Sequence, residues 1–213
     1  MNINIQRDEL PFGLNINDIE VPAILKTRVK SGVDYMDAAM GGKGFTPSMV
    51  TLFTGTPGAG KTTMMLKLAD SLTANGASVV FNTGEESLYQ VKMVTERLRL
   101  RNGFMAGGEI QDGFTNGQSA VRALALITEY CKTHNVNAMV IGQVNKSGKM
   151  AGSNKIKHMV DAHIHLSVEE KDAELAGCRV LETQKNRFGG AGHAFFLRLN
   201  EHGFKEVARV SCA

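Results

Sequence analysis

The chain has 213 residues, 43% of them hydrophobic, enough for one folded domain with short appendages; a disordered or fibrous protein is excluded. A net charge of +3 is only mildly basic, so any contact with nucleic acid must come from a local patch and not from a general field. Cys131, Cys178 and Cys212 are far apart and lack C-x-x-C spacing, and no apolar run approaches membrane-spanning length; a cytoplasmic protein with reduced thiols is expected, without a zinc module or a membrane partner.

Residues 1–27 carry Pro11, Gly13 and Pro22 without a sustained period and read as an arm or tether, leaving 28–213 as the folded core. From Ser31 a short helix runs until glycines at Gly41 and Gly42 stop it, and Pro47 turns the chain into a strand over Met49 to Phe53. That strand enters Gly55-Thr56-Pro57-Gly58-Ala59-Gly60-Lys61-Thr62, which fits G-x-x-x-x-G-K-[ST], and a helix leaves it from Thr63 to Ala74 with Met64, Met65, Leu68 and Leu72 at helical spacing. The glycines let successive backbone N–H groups curl around a triphosphate at the positive end of the helix. Lys61 is placed to reach the β and γ phosphates, and the Thr62 hydroxyl to ligate Mg²⁺.

Ala77 to Phe81 reads as a second buried strand, ending in Gly84-Glu85-Glu86-Ser87. An acid at the carboxyl end of a strand beside a phosphate loop sits where parallel α/β sheets place their chemistry, so Glu85 is the candidate for polarising a water; the same residues could simply open the next helix. That helix, Leu88 to Leu100, spaces Leu88, Val91, Val94 and Leu98 along a buried stripe. A glycine-rich stretch follows, with a short strand at Phe104 to Ala106. A further helix from Ser119 to His134 has Val121, Leu124, Leu126, Ile127 and Tyr130 as its apolar side. Val136 to Ile141 is a third buried strand, delivering Gln143 to the same sheet edge as Glu85.

The stretch Asn145 to His158 is basic and small-residue-rich, with Lys146, Lys149, Lys155 and Lys157. It is either an ordinary solvated loop or a surface for nucleic-acid phosphates; without an aromatic for base stacking, binding would be through the backbone and without sequence preference. His163-Ile164-His165-Leu166 alternates as a strand with one wet face should, and no neighbouring carboxylate or cysteine spacing supports a metal at the His-x-His pair. Cys178 to Thr183, Ala194 to Leu199 and Phe204 to Val210 read as strands. Between the first two lie Lys185 and Arg187, on a turn ended by Gly189 and Gly190, where cations have little reason to sit for core formation and could complete a phosphate site as a finger.

Several strings together resemble the RecA-type ATPase core, and within it the bacterial RadA/Sms branch-migration family: Ser31-Gly32-Val33 through Gly41-Gly42, the phosphate loop, Gly84-Glu85-Glu86-Ser87, Gly142-Gln143-Val144-Asn145-Lys146 through His158-Met159-Val160-Asp161, and Lys185-Asn186-Arg187-Phe188-Gly189. The resemblance implies an α/β fold, with a mostly parallel central sheet flanked by helices and a carboxyl-terminal antiparallel extension. It implies a homo-hexamer or filament on single-stranded or branched DNA, with ATP and Mg²⁺ held between subunits by residues 55–63. In that scheme Lys61 and Glu85 serve hydrolysis, Gln143 senses the γ-phosphate and relays its state to the basic loop, and Lys185 and Arg187 act on the neighbour's nucleotide. A DnaB-type helicase core, or a KaiC-like protein that uses ATP to assemble without touching DNA, shares much of the same pattern.

Three departures matter. The zinc module and the protease-like domain of that family have no counterpart in this sequence, and Gln143 stands where its members often carry histidine. The third is larger: between the Glu85 and Gln143 strands the family has a helix and an apolar strand ending in an aspartate that holds Mg²⁺ through water. Here Phe104 to Ile110 ends in no buried acid, and Asp112 follows Glu109-Ile110-Gln111, which is no strand core. Either a segment is missing around Gln111-Asp112 or the sheet has re-paired; the match on both flanks favours a missing segment.

Overall fold

A computed structural model describes residues 13–84, 86–108, 117–143 and 153–210. A 3-10 turn (Ile16–Asp18) and α1 (Ala23–Lys26) contribute no buried residue. α2 (Asp34–Ala39) buries Met36 and Ala39; its Asp37 carboxylate accepts from the Ser31 amide and hydroxyl, both at 2.8 Å, which ties the helix to the strand-like segment before it. β1 (Val50–Gly55) is buried at every position, as a strand covered on both faces must be. α3 (Lys61–Ala74) follows, then β2 (Val80–Thr83), α4 (Leu88–Arg97), β3 (Met105–Gly108), α5 (Gly117–His134), β4 (Ala138–Gln143) and α6 (Ser153–Met159). The chain finishes with β5 (Ala162–Val168), β6 (Arg179–Asn186), β7 (Ala194–Asn200) and β8 (Gly203–Val210).

The main sheet has the order β4-β1-β5-β6-β7-β8. β1 runs parallel to β4 and to β5, which makes the centre parallel. β6, β7 and β8 extend it antiparallel. β1 alternates between two cores. Phe53 packs with Met64, Leu66 and Leu68 of α3 and with Ile164 and Leu166 of β5. Val50 and Leu52 pack on the opposite face with Leu124 and Cys131 of α5, Ile156 of α6 and Val160.

β2 and β3 form a separate two-stranded parallel sheet. Among the described residues β2 has not re-paired with β4, so each presents an open edge. This corrects three expectations of burial. Val80 is 64% exposed in a strand expected to be buried, and Ile141 of β4 is 41% exposed. On α5, Leu124 and Cys131 are buried while Leu126, Ile127 and Tyr130, expected on its apolar side, are exposed. Residues that would be interior in a continuous sheet lie open because nothing among the described residues covers them. A fourth correction concerns β5. Its expected wet face is not wet: His163 is 3% exposed, and the strand is buried or half-buried throughout.

Candidate functional site

The phosphate loop leaves the carboxyl end of β1, between β4 and β5. Its amide at Thr56 donates to Leu166 O of β5 at 3.0 Å, and Ala59 N closes a turn onto Thr56 O at 3.2 Å. Gly60 has φ +100, a left-handed backbone that L residues rarely adopt, and a Cβ there would meet the Phe204 ring of β8 at 2.9 Å. From β6, Arg179 Nε donates to Ala59 O at 3.3 Å, holding the loop from outside. The first intrahelical bond of α3 runs from Met64 N to Gly60 O, so the amides of Lys61, Thr62 and Thr63 at its amino end have no partner within the helix. Lys61 Nζ folds back onto Gly55 O and Thr56 O at 3.1 and 3.3 Å, across the mouth of the cradle. Free amides, a helix positive end and a lysine over them fit a polyphosphate.

The Thr62 hydroxyl donates to Glu86 Oε1 at 3.4 Å. Sequence reasoning favoured Glu85 and passed over Glu86; Glu85 itself lies outside the described residues. Ser87 does cap α4: its hydroxyl accepts from Gln90 N at 3.2 Å and the Gln90 side chain accepts from Ser87 N at 2.8 Å. Glu86 therefore sits in the link between β2 and that cap. Thr62 and Glu86 together offer two oxygens at the helix end, a donor set that suits Mg²⁺, which when bound would neutralise phosphate charge. The backbone of Gln143 pairs with Gly55 in the parallel register, which brings the predicted sensor to the first residue of the loop.

Beneath the loop, Thr54 Oγ1 lies 2.8 Å from His163 Nε2 and 2.8 Å from His165 Nδ1. Burial, helped by Lys157, His165 and Lys185, pushes the His163 pKa down to about 4. Burial also lowers His165, against the opposing charge of Glu182. Both rings are neutral at pH 7 and act as buried hydrogen-bonding groups. Among the described residues no group of three or more His, Cys, Asp or Glu side chains could hold a metal ion.

Lys185 and Arg187 lie at the other end of the sheet. Lys185 pairs with His163 and Asn186 with Ala162, which in turn lies beside Thr51. Gly55 is four residues further along, about 13 Å at the rise of a strand, with β5 between β6 and β1. Neither cation reaches this chain's own phosphate loop. The expectation that they have little reason to sit there for packing is corrected. Lys185 Nζ donates to Lys157 O, His158 O and Val160 O, and Arg187 donates to Asp161 Oδ1 at 3.2 Å and His158 O at 3.2 Å. Asp161, 2% exposed, was quoted in the sequence pattern without a role; an acid directly before an apolar strand in a basic stretch was the available signal. Burial alone would raise its pKa, but the Lys132 and Val50 hydrogen bonds and the charges of Lys132 and Arg187 outweigh that and hold it below the usual carboxylate range. Of the predicted DNA-contacting lysines, Lys155 is exposed and Lys157 half-buried on α6; Lys146 and Lys149 lie outside the described residues.

A family model described as "ATPase: KaiC" matches residues 29–100, the stretch from before α2 through the phosphate loop and α4. Curated relatives extend the match over most of the chain. It is 29% identical to the DNA repair protein RadA of Aquifex aeolicus, covering 86% of this chain and 47% of that protein. It is 28% identical to RadA of Mycobacterium tuberculosis strain CDC 1551 / Oshkosh (85% and 44%) and of Streptococcus pneumoniae (90% and 52%). This chain has a RecA-like α/β fold. It spans about half the length of the RadA proteins it matches. The alignment with the Aquifex protein runs over 215 positions, yet 86% of this chain is about 183 residues, so about 30 positions of the relative face nothing here. That total is close to the size of a βαβ unit.

Proposed function

We propose that this RecA-type core binds ATP at residues 55–63 and hydrolyses it at the boundary between copies of the chain, as part of a DNA repair or recombination motor on single-stranded or branched DNA. The observation that carries the reading is the placement of Lys185 and Arg187 at the opposite end of the sheet from their own phosphate loop: any nucleotide they serve is another subunit's, and to reach it they must give up bonds to the end of α6 and to Asp161. Lys61 and Thr62 hold the phosphates and Mg²⁺, Glu85 polarises the water, and Gln143 beside Gly55 reports the γ-phosphate. Lys146, Lys149, Lys155 and Lys157 contact DNA phosphates. Among the described residues no acid-tipped strand lies between β2 and β4, so the metal relies on Thr62 and Glu86, and turnover is slow.

The arm supports an assembly. Leu14, Ile16, Val21 and Ile24 are 43–77% exposed, apolar groups better suited to a neighbouring copy than to water. A hexamer or filament is the assembly we propose, with residues 1–27 as tether.

The test is ATP hydrolysis with and without single-stranded DNA, alongside a variant in which Lys146, Lys149, Lys155 and Lys157 are all replaced by Ala. DNA should stimulate the parent chain, and the variant should bind DNA more weakly and with a flatter salt dependence. Stimulation with unchanged DNA binding in the variant rejects that surface. ATP-dependent assembly without any DNA effect selects instead the KaiC-like reading, which the match over residues 29–100 favours. Strand displacement by a stimulated enzyme would indicate a DnaB-type helicase.

A further inference from the structure

Lys185 is saturated inside its own chain. An ammonium has three N–H donors, and here they meet Lys157 O at 2.9 Å, His158 O at 3.4 Å and Val160 O at 2.6 Å, all at or just past the carboxyl end of α6. The last carbonyls of a helix have no intrahelical donor, and a cation there also complements the negative end of the dipole. Arg187 Nη2 supplements this cap at His158 O, while its Nη1 is held by Asp161. Asp161 is fixed in turn by Lys132 Nζ at 2.8 Å and Val50 N at 3.0 Å, both on Oδ2. α6 has only seven residues, with Ile156 as its one buried apolar side chain among the described ones. The two cations therefore supply much of what holds its carboxyl end.

We infer that the carboxyl end of α6 and a phosphate from the adjoining subunit compete for Lys185 and Arg187, with Asp161 the positioning residue that keeps Arg187 at α6 until a phosphate is offered. This rests on the reading of both residues as cations for a neighbour's nucleotide. Because Lys185 has three donors and three acceptors already, each bond to a phosphate removes one from α6. α6 carries Lys155 and Lys157, so loosening its end alters the surface assigned to DNA. Coupling of this kind is reciprocal: nucleic acid that orders α6 must change the affinity for the phosphate by the same factor.

Amide hydrogen exchange over residues 153–161 tests this in the full chain. In Lys185→Met, exchange without nucleotide should be at least about tenfold faster than in the parent, and in Lys185→Arg it should stay slow. A non-hydrolysable ATP analogue with Mg²⁺, at protein concentrations where the chain assembles, should speed exchange in the parent and change little in Lys185→Met. Asp161→Asn should lower the analogue concentration needed for that effect, which loss of a merely structural ion pair would not do. Unchanged exchange in Lys185→Met, or no response of the parent to the analogue, overturns the competition. The two readings fail separately. If the analogue binds through Lys61, as shown by loss of binding in Lys61→Ala, and α6 does not respond, the competition is wrong and the nucleotide site stands. If binding is indifferent to Lys61, the site itself is wrong.

Discussion

Thr54 has one hydroxyl proton and three neighbours for it, the two imidazoles at 2.8 Å and Ile164 O at 3.4 Å, so it accepts from at least one of the rings. Charging His163 would bury a cation beside Lys157 and Lys185. Its folded pKa of about 4 lies below the usual 6.5, so the unfolded chain takes up a proton first. Stability is therefore full above pH 6.5 and falls as pH drops towards 4, by up to about 3 kcal/mol. Asp161, held below its ordinary range, adds a second loss at still lower pH, when its carboxylate is protonated. Urea unfolding at pH 7, 6, 5 and 4.5 should show a falling midpoint, and His163→Gln should flatten it; a level profile in the parent contradicts the assignment. A second residue-scale prediction concerns Gly60→Ala, which meets both a left-handed φ and the Phe204 ring. It should cost about 1–3 kcal/mol of stability and weaken ATP binding, measured by denaturation and titration. The phosphate-loop residues were legible because the motif is local. The histidine pair was not, because its partner Thr54 is more than 100 residues away in sequence and adjacent only in the sheet.

At the scale of elements, the strands split into a well-buried set and an open-edged pair. Leu52 of β1 is 1% exposed, so Leu52→Ala should cost about 2–5 kcal/mol. Val80→Lys and Ile141→Lys, on β2 and β4, should each stay within about 0.5 kcal/mol of the parent. Open strand edges beside exposed apolar side chains invite association. The same lysine variants should therefore stay monodisperse at concentrations where the parent aggregates, as light scattering would show; large destabilisation by either would mean those strands are covered. Helix and strand types were legible from period and punctuation for most described elements; the exceptions are the short turns of the arm and α6, which lies in the stretch expected to be a loop. Which face each strand or helix buries was not, because the apolar pattern of β2, β4 and α5 suits an interior that a missing neighbour leaves open.

For the whole molecule, the separation of Lys61 from Arg187 predicts complementation. Neither Lys61→Ala nor Arg187→Ala alone should hydrolyse ATP appreciably, but a mixture should regain activity, greatest near equal ratio, since some boundaries then join an intact loop to an intact finger. Absence of recovery at every ratio, in assemblies shown to be mixed, would count against a shared site. The cis contacts of both cations are compatible with this only if they are exchanged for the neighbour's phosphate, which is what the exchange experiment on α6 reads.

Motif, period and chain order were enough to place a nucleotide loop between a strand and a helix and to give the RecA-type order of elements, because each depends on residues close together along the chain. The chain's long-range pairings decided the rest. They put Lys185 and Arg187 at the far end of the sheet from Gly55, gave both a bond to α6, set Glu86 against Thr62 and left β2 apart from β4. Such relations depend on strand register and on which neighbour is present, and neither is written in any single stretch of residues.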